Sequence, residues 1–247
     1  MKPVHLVCAA LAASLLASCA SGPPRTPTRV LERALAGAPG QAQPGRIVAT
    51  ESAFARAARE DGQWTAFLAF AAPGAVLHGQ TGAVPAGEWL AKQDDPPQAV
   101  QWAPSEVWMS CDGSLAVSTG RFRDPQGLVG TFVTVWQRQD EGEYRWIYDA
   151  GAPDNPQPPA PQDSDVEPGT IKVIGEGPIR GNVADCNRRG EPLPAGVPEG
   201  SSYISADRTL AFRWQHVGAG DRVMVATWLH DGGWETALDQ TFPAETR

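Results

Sequence analysis

Four apolar-rich runs follow one another over residues 99–110, 114–123, 128–139 and 143–150, joined by "CDGS", "RDPQG" and "QDEGE". Each joint combines Asp with Gly or Pro, residues that reverse a chain within a few positions through local side-chain acceptors and special φ values. Inside the runs the side chains alternate with period two. Phe132, Thr134 and Trp136 oppose Val133, Val135 and Gln137, and Tyr144, Trp146 and Tyr148 oppose Arg145, Ile147 and Asp149. These features predict an antiparallel meander, and a sheet of this kind must bury one face against something else.

The cover is encoded just upstream. In "GRIVATESAFARAARED", Ile47, Phe54, Ala57 and Ala58 recur at helical spacing, with Arg56 and Glu60 paired on the wet side. Asp61 is placed to cap a second helix, "GQWTAFLAFAA", whose stripe is Trp64, Phe67, Leu68 and Ala71 and whose stop is Pro73-Gly74. "AVLHG" reads as a short strand, and Pro85 can start a third helix carrying Trp89 and Leu90. Helices followed by a meander predict an α+β fold with the helices on one face of a curved antiparallel sheet.

Two stretches carry a resemblance. "ESAFARAAREDGQWTAFLAFAAPGAVLHG…EWL" and "LVGTFVTVWQRQDEGEYRWIYDAGAP" resemble the nuclear transport factor 2-like superfamily, on its SnoaL-like side, over residues 46–152. The resemblance implies a cone-shaped cavity between helices and bent sheet, and a homodimer formed through the sheet. That superfamily contains isomerases, dehydratases, cyclases and plain binding modules, so fold alone does not select among them.

The flanks add an address and a tail. "MKPVHLVCAALAASLLASCA" has a basic start and an apolar block of about a dozen residues, long enough for export and too short to span a bilayer. Leu16-Ala17-Ser18-Cys19 resembles a bacterial lipobox, which implies cleavage after residue 18 and a lipid anchor on Cys19. Ala20 at the next position, by the sorting rule of such lipoproteins, points to the periplasmic face of the outer membrane. The organisation expected is a signal peptide at 1–18, a tether at 19–45, the α+β domain at 46–152, a Pro-rich linker at 153–168 and an all-β extension at 169–247. In the extension "TLAFRWQHV" alternates, and "RVMVATWLHDGGWETALDQTF" reads as a hairpin around Asp231-Gly232. The tail is expected to pack on the first domain. With Cys8 removed and Cys19 lipidated, Cys111 and Cys186 remain, either as one disulfide suited to an oxidising compartment or as two buried thiols.

Chemistry is less legible. A net charge of −8 argues against a nucleic-acid partner. No spacing suits a metal or a known cofactor, so none is expected, and "GEGPIRG" at 175–181 is read as a turn. His78, Asp149 and Arg121 are the candidate acid–base or polar groups. Period two excludes Tyr148 from sharing a face with Asp149, and Phe122 from sharing one with Arg121. Among nine Trp residues, Trp89, Trp102, Trp108 and Trp136 are candidates to line an apolar pocket. The expectation is a lipid-anchored, non-catalytic module that holds a small apolar ligand. An isomerase-, dehydratase- or cyclase-type enzyme and an envelope scaffold are the alternatives.

Overall fold

A computed structural model describes residues 41–159, 177–186, 201–218 and 220–244, all within one compact unit, Gly37–Arg247. The expected signal peptide, Cys19, most of the expected tether and the expected linker beyond residue 159 lie outside the described residues. The described elements are α1 (Pro44–Glu60), α2 (Gln63–Phe70), β1 (Ala71–Gly79), β2 (Gly82–Pro85), α3 (Ala86–Leu90), β3 (Gln101–Met109), β4 (Leu115–Arg123), β5 (Val129–Arg138) and β6 (Tyr144–Pro153). After these come β7 (Arg180–Val183), β8 (Ser202–Ile204), β9 (Leu210–Val217), β10 (Asp221–His230) and β11 (Gly233–Phe242). None of the described helices is long and apolar enough to cross a membrane.

The fold is α+β. A seven-stranded sheet runs β2-β1-β6-β5-β4-β3-β7, and a four-stranded antiparallel sheet runs β11-β10-β9-β8. The expected meander is β3 to β6. The larger sheet is nonetheless mixed, because β1 lies parallel to β6 and β7 parallel to β3. Arg180 and Gly181, read from the sequence as the end of a turn, instead open β7, which extends the first sheet. The tail is therefore shared between the two sheets.

Each face of the large sheet has its own core. On one side α1, α2 and α3 cover Val107, Met109, Ala116, Trp136 and Trp146. On the other, Leu115, Val117, Val133 and Val135 pack against Leu210, Phe212, Met224 and Ala226 of the second sheet. The face of the large sheet turned away from the helices is thus covered from within the chain.

The two sheets also lock at their turns. Ser110-Cys-Asp-Gly-Ser-Leu115 joins β3 to β4, and Ser205-Ala-Asp-Arg-Thr-Leu210 joins β8 to β9. In each turn the Ser hydroxyl donates to the Asp carboxylate two positions on, at 2.8 Å. The turns then bond reciprocally: Asp112 N–H donates to Asp207 (2.8 Å), and Asp207 N–H donates to Asp112 (3.1 Å). Cys111, in the first turn, is bonded to Cys186 just beyond β7, closing a separation of 75 residues.

Two local expectations change. Asp61 does not cap α2; the cap comes from Asp95, which accepts from the backbone N–H groups of Trp64 (2.5 Å) and Thr65 (3.2 Å) and from the Thr65 hydroxyl (2.6 Å). Gly62 is required beside it, with φ of 113° and no room for a Cβ, which would sit 2.2 Å from the Asp95 carboxylate. Helix α2 ends at Phe70, before Pro73-Gly74, and those two residues fall within β1, where the register shifts.

Candidate functional site

A cavity of about 330 Å³ lies between the helices and the sheet. Its wall is aromatic: Phe54 from α1, Trp64 and Phe67 from α2, Trp102 from β3, Phe122 from β4 and Phe132 from β5. Phe54 organises the rings, 4.7 Å from Phe67 and 4.8 Å from Trp102 in edge-on contacts. Such contacts add to the burial of each ring and fix its orientation. Phe122 and Phe132 are cross-strand partners of Gly130 and Gly120. A Cβ at either glycine would lie under 3 Å from the facing ring, so the missing side chains let both rings lie across the sheet.

Polar groups enter this wall from below. Ser118, Thr134 and Asp149 are successive partners across β4, β5 and β6, making one polar rung on the helix side of the sheet. Thr134 donates its hydroxyl to Asp149 at 2.6 Å. Burial pushes the Asp149 carboxyl up to about 7; the Thr134 hydrogen bond opposes the shift and the nearby Glu51 charge adds to it. Glu51, fully buried on α1, accepts from the Ser118 hydroxyl (2.6 Å) and the indole N–H groups of Trp102 (3.1 Å) and Trp136 (3.2 Å). Burial also raises its pKa, against those three donors. Glu51 went unnoticed in the sequence although the signal was present: it stands four residues after Ile47, on the stripe that carries Phe54 and Ala58.

The other candidates are dispersed. His78 borders the cavity, but its ring packs in the seam between the sheets, against Tyr148, Trp214 and His216. The Tyr148 hydroxyl lies 2.7 Å from His78 Nδ1, and His216 Nδ1 lies 3.1 Å from His78 Nε2. Burial, with the positive charges of Arg222 and His216, lowers the His78 pKa to about 4. Arg121 stands away from the cavity in a two-pronged ion pair with Asp154 and also donates to Thr131 at 2.6 Å. Among the described residues no group of three or more His, Cys, Asp or Glu is arranged to hold a metal ion.

The four tryptophans divide as well. Trp102 lines the cavity, and Trp136 is buried beneath it as a donor to Glu51. Trp89 on α3 backs Trp64 edge-on at 5.2 Å. Trp108 faces the second sheet and is no part of the wall. The cause is a bulge at Ser105, where β3 shifts register against β4 between Pro104 and Glu106. Beyond it Val107 and Met109 take over the helix face that Trp102 began, so Trp102 and Trp108 end on opposite sides. A second bulge, at Ile147 in β6, works the same way. Tyr148 and Asp149 do face opposite sides, but Trp146 and Tyr148 do as well, and Asp149 joins Trp146 on the helix face.

No family model matches the chain, and no curated protein matches it. Among solved structures, a chain described as a calcium/calmodulin-dependent kinase II association domain from Exiguobacterium sibiricum aligns with 39% of this chain and 81% of its own length. Its identity is 19% and its TM-score 0.28, a likeness that bears on neither fold detail nor function.

Proposed function

We propose that this chain is a lipid-anchored envelope protein whose residues 46–152 form a cone of the nuclear transport factor 2-like kind, and that the cone binds a small amphipathic molecule without transforming it. The observation that carries this is the cavity of about 330 Å³, walled by six aromatic rings and offering Asp149 and Thr134 as a hydrogen-bonded polar handle. Its size is at the small end of the range for small-molecule sites, and its make-up, mostly apolar with few convergent polar groups, is the usual one. Native mass spectrometry of residues 20–247, secreted to a periplasm and purified without detergent, tests it. A reproducible added mass, lost in a Gly151→Leu variant that fills the cavity, is the expected result. The bare polypeptide mass in both proteins sinks it.

A second reading rests on one further observation. A carboxyl pushed up to about 7 inside an aromatic cavity exchanges its proton near neutral pH, as a general acid or base must. Asp149 is then the acid–base group, and His78, engaged in the seam, is not. If the molecule retained by Asp149→Asn differs chemically from that retained by the wild type, turnover replaces simple binding. The anchor has its own check: labelled palmitate enters the wild-type chain and not Cys19→Ala.

A further inference from the structure

At the polar end of the aromatic cavity the neighbouring donors are already used. Ser118 gives its hydroxyl to Glu51, Thr134 gives its own to Asp149, and the indole N–H groups of Trp102 and Trp136 both reach Glu51. The acceptors are not used up in turn. Thr134 meets Oδ2 of Asp149 at 2.6 Å, while Oδ1 accepts no hydrogen bond among the described residues and is open to the cavity that Asp149 lines. A carboxylate taken out of water is ordinarily matched by several donors or by a cation.

Among the described residues no cation is bonded to Asp149. Its partners across the sheet are Thr134 on β5 and Leu77 on β1, and neither carries a charge. Arg222 borders the same cavity, but it donates to the carbonyl oxygens of His78 (3.1 Å) and Gly151 (2.9 Å) and not to Asp149. Burial, the larger cause, and the like charge of Glu51 both push the Asp149 carboxyl up, as expected of an acid short of a positive partner. The remaining wall is aromatic, with Trp64 and Trp102 among its six rings. Aromatic faces attract organic cations, tryptophan most strongly. An open carboxylate oxygen and a set of aromatic rings, the two groups that recognise an ammonium ion, therefore border one apolar space.

We infer that the molecule held in this cavity is an apolar amine bound as its cation, with the ammonium group at Asp149 Oδ1 and the apolar body against the aromatic wall. This rests on the small-molecule reading above and names the class of ligand. An ammonium N–H donating to a carboxylate makes a charge-assisted hydrogen bond, roughly twice as strong as a neutral one, and an alcohol of the same shape forgoes the charge.

Calorimetric titration with 2-naphthylmethylamine and with 2-naphthalenemethanol tests it on the wild-type protein, at pH 8, where the carboxylate is mostly ionised and the amine still protonated. The expected result is a preference of about tenfold or more for the amine. In Asp149→Asn, which keeps the shape and removes the charge, the preference falls to within about twofold while the alcohol still binds. Should that variant fail to fold by circular dichroism, Asp149→Leu, which removes the cost of burying an acid, takes its place. A preference that survives the loss of the carboxylate overturns the assignment, because the charge recognised then lies elsewhere. Equal affinity for the two probes also overturns it and leaves the binding reading standing. Failure of both probes to bind overturns it as well, and the native mass measurement then decides the binding reading by itself.

Discussion

At the residue scale the controlling feature is the pair of oppositely shifted groups on the two faces of one strand pair. Burial holds the Asp149 carboxyl at a pKa of about 7, against an ordinary value of 3.8. Its burial costs nothing below about pH 4 and destabilises progressively as pH rises to about 7, because only the unfolded chain gives up the proton freely. His78 has a folded value of about 4 against 6.5. It costs nothing above about pH 6.5 and destabilises progressively as pH falls toward 4, because only the unfolded chain takes up the proton freely. Between these limits the two slopes oppose one another. Asp149→Asn should make stability rise more steeply with pH across 4–6.5, and His78→Gln should tilt it downward; urea melts at pH 4.5, 5.5 and 6.5 read both. An unchanged slope in Asp149→Asn means that the carboxyl is not held in its neutral form. Glu51 belongs to the same scale. Truncation to Ala strands the Trp102 indole and removes acceptors from Ser118 and Trp136, at a cost of about 3 kcal/mol in chemical denaturation. A loss under about 1 kcal/mol contradicts the three hydrogen bonds.

At the element scale the helix start and the strand bulges matter most. Helix α2 has only eight residues and no cap of its own, so Asp95, some thirty positions away, supplies it. Asp95→Ala should lower Tm by about 2–4 °C and leave the disulfide and the second sheet intact. Differential scanning calorimetry with a count of free thiols checks this, and no change in Tm argues against the cap. The bulges at Ser105 and Ile147 decide which aromatic residues see the cavity. Without them Trp102 and Trp108 would share a face, and Asp149 would lie opposite Trp146.

At the scale of the whole molecule the second sheet covers the face of the large sheet turned away from the helices. The reciprocal Asp112–Asp207 turns and the shared core between Val117, Val135, Phe212 and Met224 hold it there. A chain ending at residue 159 should expose that apolar face and self-associate, while residues 20–247 run as a monomer; light scattering distinguishes the two. A monomeric truncation would mean that the face does not need its cover. The Cys111–Cys186 bond ties the first of those turns to the segment after β7, and Asp185 there donates its N–H to Leu229 of the second sheet at 2.8 Å. Replacing both cysteines by Ala should cost about 2–4 kcal/mol, by the restriction that a long loop places on the unfolded chain. A smaller loss would mean the turns and the apolar seam hold the tail unaided.

Local pattern was enough for much of this. The helical stripe of Ile47, Phe54 and Ala58, the Asp-Gly joints and the period-two runs determined three helices, the β3–β6 meander and the β10–β11 hairpin, because each depends on neighbours within a few residues. The count of cysteines narrowed the pairing to Cys111 and Cys186. What only the tertiary structure decided depends on long-range register. An extra residue at Ser105 or Ile147 leaves no mark in composition, yet it changes the face of every side chain beyond it, separating Trp108 from Trp102 and turning Asp149 toward the helices. The place of Glu51 on the apolar stripe of α1 was legible, but its partners, 51 to 85 positions away, were not, and the burial of Arg222 from the second sheet, bonded 144 positions away, was out of reach altogether. Alternation is a property of the strand, while the identity of its buried face belongs to whatever packs against it.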